Sequence, residues 1–269
     1  MIGEIRAAAP LMRDLAVPPT ASGPWLTVVL NAMQRSTWSV PVPRVRPRAV
    51  VVDQHRQGRP VGAALLTSRP RGPVTVVRLL GDGVGPEPPG LPPRRLYARD
   101  DEAAALLAEG VVAVLRGLRR PWRLELSGLP LGDRVLARLG ALLPDAQFST
   151  ERTRRLVDDL DSLTGPGRSA SVHRSTDPAD LERWLPAVLA RVPGDPAFLR
   201  AAARLHAATG QLEHAVVTEG GRVRAVLLTL LDGGRRWPWW GSSDTGGLST
   251  ERGAPLVRLT CSSGSLVSR

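Results

Sequence analysis

The chain has 269 residues, 42 % of them hydrophobic, enough for one large domain or two small ones, and it carries a net charge of +11. Its 36 basic residues are all arginine and lie dispersed, with the tightest groups at 43–48 and 151–155. The charge therefore reads as GC-rich coding bias on a solvated surface and argues against nucleic acid as the partner, although arginine remains a good phosphate ligand. A single cysteine, Cys261, excludes an internal disulfide. No window approaches the ~18 apolar residues of a membrane-spanning helix, and Arg6 and Arg13 break up any secretory leader, so a reducing cytoplasm is the expected setting.

Residues 1–47 are proline-rich and give few signals beyond a short helix within 24–38 and an extended stretch at 39–48. Three strand-like runs follow at 48–54, 60–68 and 74–80, joined by short turns, which predicts an antiparallel meander. After the proline–glycine loop 81–93, Leu107, Val111, Val114, Leu115 and Leu118 recur at helical spacing, with Asp100, Asp101 and Glu102 where a helix start favours negative charge. Trp122, Leu124 and Leu126 alternate with Arg123, Glu125 and Ser127, the pattern of a half-buried strand. Val135, Leu136, Leu139, Leu142 and Leu143 mark another helix, 146–160 begins as a strand, and 161–171 is the expected linker.

The second half opens with two helices announced by Asp177-Pro178 and Asp195-Pro196, the latter stopped by Gly210. Strand runs at 213–219, 223–231 and 236–244 then repeat the first meander. The segment 49–67 aligns over 214–230, with Gly58-Arg59 over Gly221-Arg222 and "ALLT" (64–67) over "VLLT" (226–229). A duplicated unit accounts for this, with an N-terminal domain at 1–160 and a C-terminal one at 172–269. Only 25 residues remain after Asp244, too few to complete the second copy. Residues 260–269 read as a tail, and a truncated reading frame is one explanation.

A meander followed by helix–strand–helix–strand, used twice, resembles the GNAT acyltransferases in tandem form. The similarity is to the CelD-like acetyltransferase group and, at greater distance, to the FemAB-like aminoacyl transferases. It rests on "VVRLLGDGVG" (76–85), "WRLELSGLPLGDRVLARL" (122–139), "EGGRVRAVLLTLLDGGRRWPWWGSSD" (219–244) and "STERGAPLVRL" (249–259), which resembles the lead-in to the next helix. The resemblance implies an α/β fold of two tandem GNAT-like domains, each an antiparallel β-meander flanked by helices, the second incomplete. It also implies an acetyl-CoA or other acyl-CoA donor and a small-molecule amine or hydroxyl acceptor. The family's pyrophosphate turn, which holds phosphates on backbone N–H groups at a helix start, has no match here. A non-catalytic scaffold, or a chain that binds RNA or takes aminoacyl-tRNA as donor, is the alternative.

Acyl transfer to an amine needs a proton acceptor, an N–H donor for the oxyanion and a cradle for the donor. Trp237, Trp239 and Trp240 are the candidate pocket walls, with packing of the meander core against the helices as the alternative. Pro238 and Gly241 suggest a bent or splayed strand that leaves a gap, with Trp237 and Trp239 on one side and Trp240 on the other. Asp244 is the candidate base or amine anchor, with Ser243 and Ser242 as hydroxyl donors beside it. Arg252 and Gly253, before Pro255, are the candidate phosphate ligands. Asp82 mirrors Asp244 in the first half. His55, His173, His206 and His214 show no metal-ligand spacing, so no metal is expected.

Overall fold

The computed structural model describes residues 1–36, 45–54, 58–84, 94–164 and 169–263. The proline stretch at 39–44, His55, loop residues 85–93, linker residues 165–168 and tail residues 264–269 lie outside the described residues. Internal contacts distinguish two units. The first gathers Met1–Asp82, the chain leading to Glu151 and the segment from Pro255, and the second holds Arg152–Ala254.

The first unit opens with α1 (Ile2–Asp14), a 3-10 turn (Pro19–Ala21) and α2 (Gly23–Ser36). The proline content had hidden α1, but Ile5, Ala8, Leu11 and Met12 recur at helical spacing and are its buried residues. The expected meander follows as β1 (Arg46–Asp53), β2 (Pro60–Arg71) and β3 (Val74–Leu79), antiparallel throughout. Next come β4 (Tyr97–Ala98), α3 (Asp101–Arg116), β5 (Trp122–Pro130), α4 (Arg134–Leu142) and β6 (Gln147–Glu151). Aspartates start both helices. Asp100 accepts the Ala103 N–H at 2.8 Å and Asp133 the Leu136 N–H at 3.0 Å. The alternation in β5 buries Trp122, Leu124 and Leu126 in a core shared with Leu107, Val111 and Leu115 of α3 and with Leu136 and Leu139 of α4. The Tyr97 hydroxyl, itself buried, donates to the Ala21 carbonyl at 2.7 Å and ties the 3-10 turn to the short strand on β2.

In the second unit, β7 (Arg154–Asp158) and a 3-10 turn (Leu160–Leu163) precede β8 (Ala170–Ser175), α5 (Pro178–Leu189) and α6 (Ala197–Ala208). The second meander comprises β9 (Leu212–Glu219), β10 (Arg222–Asp232) and β11 (Arg235–Ser243), and β12 (Leu248–Arg252) follows. The hairpin loops are Gly220-Gly221 and Gly233-Gly234, all four with positive φ, as two-residue turns with the twist of the flanking strands require. The sheet order is β11-β10-β9-β8, and β12 with β7 forms a separate ribbon.

The segment after Ala254 departs from expectation. No helix begins near Pro255. Residues Leu256–Ser262 form β13, which lies in the first unit's sheet between β5 and β6 and is antiparallel to both. The stretch assigned to a C-terminal domain, and its end read as a tail, thus contributes an internal strand to the other unit. The pattern was present but short. Val257, Leu259 and Cys261 alternate with Arg258, Thr260 and Ser262, and Leu259 is fully buried. Strand β8 was likewise unexpected, since it begins within the stretch read as linker.

Leu259→Ala is expected to cost about 2–5 kcal/mol in stability, the range for a fully buried leucine, as read by chemical denaturation. Deleting residues 256–269 exposes the facing edges of β5 and β6. It should yield a species that aggregates on size-exclusion chromatography and melts without a cooperative transition.

Candidate functional site

Proline governs the tryptophan strand. In the β10–β11 ladder, Leu228 faces Trp240 and Thr229 faces Pro238, so Trp239 is the extra residue of a β-bulge. Pro238 has no N–H to give to the ladder, a common reason for such a break. The bulge interrupts the alternation expected of the strand. Trp239 is 0 % exposed and Trp240 6 %, so both neighbours are buried, while Trp237 is half-buried. A Cβ on Gly241 would meet Leu248 at 2.8 Å and Leu227 at 3.0 Å, so the place where a gap was expected is closely packed.

The loop after the strand is held by its own contacts. Ser242 faces Val226 within the ladder. The Ser243 hydroxyl donates to the Gly246 carbonyl and accepts the Thr245 N–H at 3.2 Å. The Asp244 N–H reaches the Arg224 carbonyl at 2.9 Å, and its carboxylate is gripped by both terminal nitrogens of Arg191 at 2.6 and 3.0 Å. Arg191 also donates to the Val223 carbonyl at 2.7 Å. The Arg191 hydrogen bonds and charge hold the Asp244 carboxyl below its ordinary value, which weakens it as a proton acceptor at neutral pH.

Asp82, the mirror residue, is also paired with arginine, at the carboxyl ends of β3 and β5 in the first unit. These two strands run parallel in register from Thr75 to Arg78 and from Trp122 to Glu125. Beyond that they take other partners. Leu80 donates its N–H to the Leu65 carbonyl, and the Gly128 carbonyl accepts the Arg94 N–H at 2.8 Å. The Arg94 guanidinium bonds Asp82 at 2.7 Å and Ser127 at 3.3 Å.

The anion-binding elements are divided. The start of α3 carries Asp100, Asp101 and Glu102, which disfavour a diphosphate at that helix end. Arg252 lies on β12 and not at a helix start, directly opposite Arg154 on β7. Among the described residues neither arginine has an acidic partner. Gly253 donates its N–H to the Thr153 carbonyl at 3.0 Å, so that donor is already in use. The start of α3 is thus ill suited to a diphosphate.

One cluster escaped sequence reasoning. His173 on β8, Asp180 in the first turns of α5 and His214 on β9 place one ligand-type atom each within 4.8 Å of the others. The His173 Nε2 is hydrogen-bonded to Asp180 Oδ2, and His214 Nε2 lies 3.8 Å from the same oxygen. The His214 side chain is 2 % exposed, and its Nε2 has no hydrogen-bond partner among the described residues, at a cost of about 1–3 kcal/mol if nothing else satisfies it. Burial lowers the His214 pKa against the opposing pull of Asp180. The signal lies in the register: His214 pairs with Ser175, so His173, two residues earlier on β8, shares its face. A separation of 41 positions hid this from motif spacing.

Beside it, Arg174 binds Asp158 through both terminal nitrogens at 2.8 and 2.9 Å and reaches Asp161 at 3.0 Å and Glu213 at 3.4 Å. Arg236 adds bonds to Glu213 and, at 3.4 Å, to Asp158. Burial works to raise the Asp158 pKa, but the Arg174 hydrogen bonds and charge, with Arg236, outweigh it and leave the group below its ordinary value.

Residues 151–247 match the family described as the acetyltransferase (GNAT) domain, just over a third of the chain and nearly coincident with the second unit. No curated protein matches. Among solved structures, FemX is similar at 12 % identity with a TM-score of 0.49, covering 85 % of this chain and 76 % of that one. A tandem GNAT protein from the clavulanic acid biosynthesis pathway gives 15 % and 0.38, covering 92 % and 96 %. A conserved protein of unknown function from Bacteroides thetaiotaomicron gives 11 % and 0.43, covering 88 % and 90 %. At these distances none of the three assigns an activity to this chain.

Arg174→Ala should destabilise the protein by about 2 kcal/mol at neutral pH, as hydrogen bonds to charged groups are worth ~1.5–3 kcal/mol. Because the folded pKa of Asp158 is depressed, its contribution is present above the ordinary aspartate value and is lost as pH falls through the folded one. The difference between wild type and variant, followed by urea denaturation, should therefore shrink as the pH drops below about 3.9.

Proposed function

We propose that the chain is a GNAT-type acyltransferase that moves an acetyl or other acyl group from an acyl-CoA to a small amine or hydroxyl acceptor. The observation carrying this is that the acetyltransferase-domain match, 151–247, falls on a segment that folds as one compact unit, Arg152–Ala254. The Arg154–Arg252 pair supports a phosphate-bearing donor. The two arginines hold paired positions on one ribbon without an acidic partner among the described residues, and a phosphate can accept from both. Membership of the CelD-like group is a finer form of the same proposal, resting on the segments at 76–85, 122–139, 219–244 and 249–259.

A non-catalytic protein that keeps the fold is the alternative. It is favoured by one specific observation: Asp244 and Asp82 are each engaged by an arginine at 2.6–2.7 Å. Transfer from aminoacyl-tRNA is the other donor chemistry, and it would show as salt-dependent tRNA binding.

Titration calorimetry with acetyl-CoA should show saturable binding that weakens about 10-fold in Arg252→Ala, equivalent to ~1.4 kcal/mol. Chromatographic detection of free CoA in the presence of a panel of amines should show turnover. Absence of CoA binding at millimolar concentration would sink the acyl-CoA proposal in favour of the non-catalytic one. Binding that is unchanged in Arg252→Ala would remove the arginine pair from it.

A further inference from the structure

We propose that His173, Asp180 and His214 form a binding site for a first-row divalent cation of zinc type. Two imidazole nitrogens and a carboxylate oxygen are a donor set that suits zinc, nickel, cobalt or iron and is poorly matched to calcium or magnesium, which take mostly oxygen ligands. The three ligand atoms lie within 4.8 Å of one another. Around a tetrahedral zinc with bonds of about 2.0–2.1 Å, neighbouring donors are roughly 3.3 Å apart, so the set closes on the ion by small side-chain rotations. The 3.8 Å between His214 Nε2 and Asp180 Oδ2 is already near that value.

The scaffold is rigid where it needs to be. His173 and His214 stand on adjacent hydrogen-bonded strands of one sheet and share a face, and Asp180 comes from the helix that follows β8. His214 points to a ligand more strongly than the other two. Its ring is almost completely buried, and its Nε2 lies near Asp180 without a hydrogen-bond partner among the described residues. A cation between the two groups would satisfy that nitrogen and replace the His173–Asp180 hydrogen bond with two ligand bonds. His173 is half-exposed, which leaves a route for the ion and a fourth coordination position open to water, the arrangement of zinc sites that act on a ligand. Among the described residues no arginine pairs with Asp180, unlike Asp82, Asp158 and Asp244. The proposal stands independently of the acyl-CoA reading.

The test uses the full chain, stripped of metal by a chelating resin and titrated with zinc chloride against a chromophoric chelator. One equivalent of zinc should bind. Affinity should fall at least about 10-fold in His173→Ala, the effect that even outer partners of metal ligands commonly have. Asp180→Asn, which keeps the size of the side chain, should do the same. Both positions are at least partly exposed, and unchanged thermal melting of the apo variants would show that they fold. Cobalt(II) in place of zinc should give the intense visible absorption of a low-coordinate site, lost in both variants. Failure to bind a stoichiometric ion, or binding that survives both substitutions, would overturn the proposal.

Discussion

The first unit depends on a strand that arrives last. β13 hydrogen-bonds to β5 on one side and β6 on the other, and Leu259 stands opposite both Leu126 and Phe148, residues more than a hundred positions earlier. The whole of Arg152–Ala254 is therefore, in chain order, an insertion within the sheet of the first unit. Closing so long a loop has an entropic cost that grows only slowly with length, so an insertion of this size adds little to it. β13 also holds the end of β5 that β3 leaves. Past Glu125 the parallel pairing to β3 stops, and Leu126, Leu129 and Pro130 stay in place through Leu259, Val257 and Leu256. The parting of β3 from β5, which gives Arg94 its position against Asp82 and Ser127, requires that β5 be held from its other edge.

Charge follows a second consistent rule. With 36 arginines and no lysine, carboxylates near a strand end meet a planar fork of donors and not a point charge. Asp82 meets Arg94, Asp158 meets Arg174 and Asp244 meets Arg191. Such pairing holds the Asp158 and Asp244 carboxyls below their ordinary range, and by the same physics it makes them reluctant proton acceptors. The aspartates that look available in sequence are thus largely occupied in structure. The histidine–aspartate cluster follows different rules: its carboxylate is shared by two imidazoles, one half-exposed and one buried.

Local patterns carried most of the fold. The alternation of Trp122, Leu124 and Leu126, the aspartates at Asp100 and Asp177, and the glycine turns at 220–221 and 233–234 each fix one element by short-range physics, and each element is present. What escaped was long-range. Nothing within 256–262 states that its partners are β5 and β6, and nothing near His173 points to His214. The tryptophan strand is present, but the facing of its residues was missed for a different reason. One proline inserted a bulge, and a single extra residue reverses the facing of all that follows. Of the candidate site, the sequence located the loop carrying Ser243 and Asp244 but gave no sign of Arg191, whose guanidinium decides what Asp244 can do.

The ribbon of β7 and β12 puts a constraint on any account of the second unit. Of its facing pairs, Arg155 opposite Glu251 is an ion pair, whereas Arg154 and Arg252 are paired positions with no acidic partner among the described residues. The ribbon is anchored by apolar contacts, where Leu156 and Leu248 pack with Ala215, Val217, Ala225 and Leu227. Gly253 adds a steric limit, since a Cβ there would lie 2.3 Å from the Thr153 hydroxyl, next to the Gly253 N–H bond to the Thr153 carbonyl. An anion such as the proposed acyl donor would supply these two positions with the counter-charge that no carboxylate provides among the described residues.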